Sequence, residues 1–172
     1  TMFFINAMVS TLVWGLSAPV AMFAAQIHQE SGWRPGVSSK YAHGLAQFTP
    51  ATADWISGVY SEELGTAEVF NPGWALRALV RYDKHLFDRI TAATACDRWA
   101  FALSAYNGGP GWVNRDKKLA ALHGADPSRW WCNVEIHSAR ADWAFKENRQ
   151  YPRRILRLLQ PVYAGWGPGV CL

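Results

Sequence analysis

Glu30 is the residue around which chemistry can be built. It follows a stretch from Met2 to Ile27 that carries no charged side chain. A carboxyl in an apolar setting can keep its proton at neutral pH and deliver it to a leaving oxygen, such as that of a glycosidic bond. Ser31 is a hydroxyl able to orient that carboxyl. Gly44-Leu45-Ala46-Gln47-Phe48 supplies apolar walls and one amide if its loop folds over the acid. An isolated Glu near a helix end is by default a solvated charge, so the assignment needs support from other residues.

Other chemistries find less to stand on. Cys96, Cys132 and Cys171 lie far apart, form no C-x-x-C pair and leave at least one thiol unpaired. His28, His43, His85, His123 and His137 lack the His-Glu-x-x-His spacing that sets two ligands on one helical face. No metal and no cofactor are expected. The net charge of +4 suggests an anionic partner without choosing among cell wall, lipopolysaccharide, membrane surface and nucleic acid; the partners expected are envelope polymers, with no nucleic acid. Arg149, Arg153, Arg154 and Arg157 are a candidate basic face for such weak contacts, although a plain solvated face is the default reading. Ten tryptophans among 172 residues suit sugar rings as well as a core.

The elements that position these residues read as short helices broken by Gly, Pro and polar turns, without alternating strands. The expected fold class is mainly α, in one domain over residues 1–172, with an N-terminal helix over 1–17 and an irregular tail over 165–172. Pro19 opens a helix that ends at Glu30. Thr49-Pro50 and Asn71-Pro72 are cap and first-turn pairs for two more. Asp97 is read as the cap of a helix ending at Gly108-Gly109-Pro110, and Asp126-Pro127 and Tyr151-Pro152 as the starts of two others. Met2 to Ile27 is read as two buried helices. It is not read as a membrane span or cleavable signal, because it lacks a basic start, is interrupted by Asn6, Gly15 and Pro19, and runs directly into Glu30.

Three separated blocks then agree. The run AAQIHQESGWRPGVSSKYAHGLAQFTPATADW holds Glu30-Ser31, Gly44-Leu45-Ala46-Gln47 and Pro50-Ala51-Thr52-Ala53. The run WAFALSAYNGGPGWV holds Ala105, Tyr106, Asn107, Gly108, Pro110 and Gly111, and KENRQYPRRIL holds Glu147, Tyr151 and Ile155. In order and spacing these resemble the motifs of lytic transglycosylases of glycoside hydrolase family 23, over about Ala24 to Leu159. The resemblance implies a lysozyme-like domain of several short helices around a substrate cleft. It makes Glu30 the catalytic acid/base and places Gln47, Tyr106, Asn107 and Tyr151 along the sugar cleft, with Ser31, Thr52 and Glu147 as further contacts. Each has a plainer alternative: Tyr106 and Tyr151 also suit packed tyrosines, and Asn107 a helix stop. Thr49 stands where many relatives carry Met, and Asn71 where Asp is usual.

The resemblance also implies a reaction. Peptidoglycan glycan strands are the substrate, cleaved between N-acetylmuramic acid and N-acetylglucosamine to leave 1,6-anhydro ends. Most glycosidases need a second carboxylate, and none is obvious here: Asp54 on the helix after Pro50 and Glu147 from another motif are candidates, neither of them favoured. Goose-type lysozymes, similar in fold, carry Asp at the position aligning with Thr49, so its absence favours the route without water. A hydrolytic lysozyme and a non-catalytic wall-binding module are the alternatives. The expected setting is a monomeric phage endolysin or virion-associated module, made in the host cytoplasm without a cleavable signal and acting in the periplasm or cell wall, with a bacterial wall-remodelling enzyme as the alternative.

Overall fold

Cap residues and proline set the helix starts. In a computed structural model that describes residues 2–172, Thr49 caps a helix over Pro50–Val59, its hydroxyl accepting from the Thr52 N–H at 3.1 Å. Asn71 caps the helix Pro72–Asp88 in the same way, accepting from the Trp74 N–H at 3.1 Å. Each satisfies a donor that the first helical turn leaves without a partner. Eight α-helices are seen among the described residues: α1 Met2–Trp14, α2 Val20–Ser31, α3 Pro50–Val59, α4 Ser61–Leu64, α5 Pro72–Asp88, α6 Ala95–Gly108, α7 Pro110–Leu122 and α8 Asp142–Arg153. Short 3-10 or π turns cover Val134–Ile136, Arg154–Leu159 and Gln160–Trp166. Among the described residues there is no β-strand, only isolated bridges pairing Ser38 with His43 and His43 with Phe48. The class is mainly α, as the sequence predicts. Thr1 lies outside the described residues.

Three helix starts differ from expectation. Asp97 is not the cap of α6. Thr94 is, and Asp97 sits three residues on, its N–H bonded to the Thr94 hydroxyl at 3.0 Å while its Oδ1 accepts from the Trp130 N–H at 2.8 Å. Asp126-Pro127 opens no α-helix, because the Asp126 carboxylate is taken by the Ser128 N–H and hydroxyl in a tight turn. Pro152 lies inside α8, which begins ten residues earlier, and a π turn over Arg154–Leu159 follows that helix.

The chain divides into two compact units. The first holds residues up to Tyr82 together with Leu158–Gly169. There α1 lies against α2, with buried Asn6 donating from Nδ2 to the Val20 carbonyl at 3.3 Å and the Ser10 hydroxyl donating to the Asn6 carbonyl at 2.6 Å. Phe48 meets Trp74 edge-on at 5.8 Å, joining the loop before α3 to α5. Phe23, Ile27, Leu45, Ile56 and Trp74 are fully buried. Phe4, Met8 and Leu12, spaced by one turn, lie exposed on the outer face of α1. No helix among the described residues is long and apolar enough to cross a membrane.

The second unit holds Asp83–Arg157 and Val170–Leu172. Its core is α6, with Phe101 edge-on to Trp130 at 5.3 Å. A disulfide joins Cys96 at the start of α6 to Cys171, so the tail is covalently anchored, while Cys132 is a free, exposed thiol.

Candidate active site

In the first unit, Glu30 is half-buried on the last turn of α2. The turn behind it is fixed from several sides. Ser31 is buried and its hydroxyl donates back to the Ile27 carbonyl at 3.2 Å, so it serves the helix end. Gly32 closes α2 in the left-handed conformation, its N–H bonded to the His28 carbonyl at 2.9 Å. Trp33 donates from Nε1 to the Tyr163 hydroxyl at 2.7 Å, and that oxygen lies 2.9 Å from His28 Nδ1. These contacts pin the end of α2 to the Gln160–Trp166 turn.

The loop that follows is braced by Gln47, whose backbone is itself left-handed at φ 49°. Its amide nitrogen donates to the carbonyls of Val37 at 3.2 Å and Gly44 at 2.9 Å. Leu45 and Ala46 between them are fully buried. Gly44 has φ 78°, and a Cβ there would lie 1.8 Å from the Val69 carbonyl oxygen. Gly44→Ala is therefore expected to destabilise the protein by more than the roughly 1–3 kcal/mol of left-handed strain alone, because a backbone carbonyl must also move. Urea unfolding checks this, and a loss below about 1 kcal/mol would show that the loop is not rigid. The Thr52 hydroxyl accepts from the Thr49 hydroxyl at 2.9 Å, so it is engaged at the start of α3. Asp54 on α3 is exposed.

In the second unit, Tyr106, Asn107, Glu147 and Tyr151 are brought together. The rings of half-buried Tyr106 and buried Tyr151 lie parallel, 6.4 Å apart and 9° from coplanar directions. Asn107 places its Nδ2 3.5 Å from Glu147 Oε1, and its Oδ1 accepts from Asn148 Nδ2 at 3.0 Å. Asn148 is buried and fully used: it also donates to the Ser104 carbonyl at 2.9 Å and accepts from the Ser104 hydroxyl at 2.7 Å and Arg149 Nη1 at 2.8 Å. Gly108 leaves room for this cluster, since a Cβ there would come within 2.7 Å of Arg140 Nη1 and 2.9 Å of Asn148 Nδ2.

Arg149 is not part of a basic face. It is buried, donating from Nη2 to Asp116 Oδ2 at 2.9 Å and to the His137 carbonyl at 2.9 Å, and from Nε to the Glu135 carbonyl at 2.8 Å. Arg140 Nη2 sits 3.2 Å from the same Asp116 oxygen as an ion pair outside hydrogen-bonding geometry. Burial pulls the pKa of both guanidinium groups down, and the Asp116 charge beside them pushes it back up. Arg153 pairs with Glu135, and Arg157 lies over the Trp131 ring at 4.4 Å.

The sequence profile described as the Transglycosylase SLT domain matches residues 14–126, more than half of the chain. The chain belongs to this family. Among curated relatives it is similar to membrane-bound lytic murein transglycosylase F of Pseudomonas fluorescens (strain Pf0-1), 32% identical over 111 residues that make up 63% of this chain and 21% of the relative. Proteins of the same name from Marinobacter nauticus and Desulfosudis oleivorans are 33% and 36% identical, over 77% and 67% of this chain and 26% and 24% of theirs. The chain thus spans about a quarter of the length of the curated relatives it matches.

The matched part of the SLT domain includes Glu30, Ser31, Gln47, Thr52, Tyr106 and Asn107, while Glu147 and Tyr151 lie beyond it on α8. Several residues that hold the site residues in place are missed by reading the SLT sequence alone. His28, Trp33 and Tyr163 secure the turn after Glu30 across 130 and 135 residues of chain. Asn148 orients Asn107 from 41 residues away. The one local signal for Asn148 is its place between Glu147 and Arg149 in the third motif block.

Proposed function

We propose that this SLT domain cleaves the β-1,4 bond between N-acetylmuramic acid and N-acetylglucosamine in bacterial peptidoglycan, with Glu30 as both acid and base. The observation that carries the reading is the placement of Glu30: one carboxyl, half-buried on the last turn of a helix with no other acid, within the family match and on a turn held by the His28, Trp33 and Tyr163 contacts. A group that must give and then retrieve a proton needs such a fixed position more than it needs a partner acid.

Glu30 gives its proton to the bridging oxygen, which leaves as the 4-hydroxyl of N-acetylglucosamine. The substrate's own 2-acetamido oxygen stabilises the charge at C1. The Glu30 carboxylate then takes the proton of the C6 hydroxyl, O6 bonds to C1, and Glu30 ends protonated as it began. No water is consumed. Supporting this route over hydrolysis, Thr49 has no carboxylate and its hydroxyl is committed to capping α3. In the proposal Gln47 Oε1, Tyr106, Asn107, Glu147 and Tyr151 contact the glycan, with Ser31 and Thr52 acting behind them.

Digestion of purified peptidoglycan should release muropeptides with 1,6-anhydro ends, each lighter by one water than the hydrolytic product. Mass spectrometry decides it, and reducing-end products would move the assignment to a hydrolytic lysozyme. Binding to sedimented walls without any release would instead make the chain a wall-binding module. For the setting, we propose a phage-encoded muralytic module working as a monomer on the host wall, in keeping with the basic charge of +4. Neighbouring lysis or virion genes would support that setting, and wall-synthesis genes would oppose it.

A further inference from the structure

We propose that His123 and His137 form a surface site for a zinc-type divalent metal ion, held by their two Nδ1 atoms. The residues come from different parts of the second unit. Exposed His123 ends α7, and half-buried His137 follows the Val134–Ile136 turn. Their Nδ1 atoms are 3.3 Å apart, with ring centroids 5.1 Å apart and planes 26° from parallel. Two nitrogens each about 2.0–2.1 Å from a tetrahedral zinc ion lie roughly 3.3 Å from each other. The separation observed is the one a shared ion requires.

The backbone under each ring is already in place. The His123 N–H bonds to the carbonyls of Leu119 at 3.2 Å and Ala120 at 3.0 Å. The His137 N–H bonds to the Val134 carbonyl at 3.0 Å, and its own carbonyl accepts from Arg149 Nη2 at 2.9 Å. Binding therefore has little chain to order, and small turns of the two rings about χ2 aim their lone pairs. Without an ion, one Nδ1–H can donate to the other nitrogen; an ion held by both Nδ1 atoms needs each ring as the neutral tautomer with its proton on Nε2, so that proton moves across its own ring and none is lost. No group of three or more His, Cys, Asp or Glu residues is arranged for a metal among the described residues. The remaining two positions are thus left to water, and the ion acts as a clip between α7 and the His137 segment. This site is separate from the proposed glycan chemistry and does not depend on it.

Titration of the whole chain with Zn²⁺ by calorimetry tests the proposal, beside H123A, H137A and C132S, the last removing the exposed thiol as a rival ligand. One equivalent should bind, with affinity at least tenfold weaker in each histidine variant and unchanged in C132S. In the unaltered protein, Zn²⁺ should shift the imidazole NMR resonances of both His123 and His137 and raise the Tm, a check that needs no variant to fold. Binding that survives in both histidine variants, disappears in C132S, or moves only one of the two imidazoles overturns the site.

Discussion

Glu30→Gln should abolish measurable muropeptide release while leaving the protein folded. Glutamine keeps the size of the side chain and its capacity for hydrogen bonds, but it can neither give nor take the proton. A positioned acid or base is typically worth about two to four powers of ten in rate, and in the proposed route one group serves both steps. The loss should therefore reach at least the upper part of that range, read as soluble product per folded molecule. The fold is expected to survive because the end of α2 is held by other groups: the Gly32 N–H on His28, the Ser31 hydroxyl on Ile27, and Trp33 through Tyr163. Unchanged melting with turnover close to that of the unaltered protein would remove Glu30 from the proposed mechanism altogether.

Asp116→Ala is expected to be the most damaging change to stability, at about 3–5 kcal/mol, the usual cost of leaving a buried charge without its counter-ion. Two guanidinium groups, Arg140 and Arg149, converge on this carboxylate, and the Ser138 hydroxyl donates to its second oxygen at 2.7 Å. Removing the carboxylate leaves two buried positive charges facing each other. Urea unfolding of Asp116→Ala and Asp116→Asn gives the measure, with Asn retaining the Ser138 contact but not the charge. If both variants unfold within about 1 kcal/mol of the original, the triad contributes nothing net, as some buried ion networks do when water reaches them.

Local signals were readable where the physics is local. Thr49-Pro50 and Asn71-Pro72 mark helix starts because a cap acts within three residues. Asp97 misleads because the same carboxylate that suits a cap is drawn to the Trp130 N–H, 33 residues away, and Thr94 takes the cap instead. Asp126 misleads because its side chain prefers its own turn, which competes with starting a helix. Arg149 looks like part of a charged face in a row of arginines, and only the partner Asp116 on α7 reveals it as interior. For the candidate site, Glu30 and the motif glycines stand out in the sequence. The hydrogen bonds that hold Asn107 and the turn after Glu30 join distant segments, and no spacing rule exposes them.

The bond between Cys96 and Cys171 closes a covalent ring that takes in α7, α8 and nearly all of α6, its joined ends 75 residues apart in sequence. A protease that severs any single peptide link within that ring makes two fragments that remain one molecule. They part only when a reductant is also present. In surroundings rich in peptidases but poor in thiols, this portion of the chain can therefore be nicked once without shedding either piece.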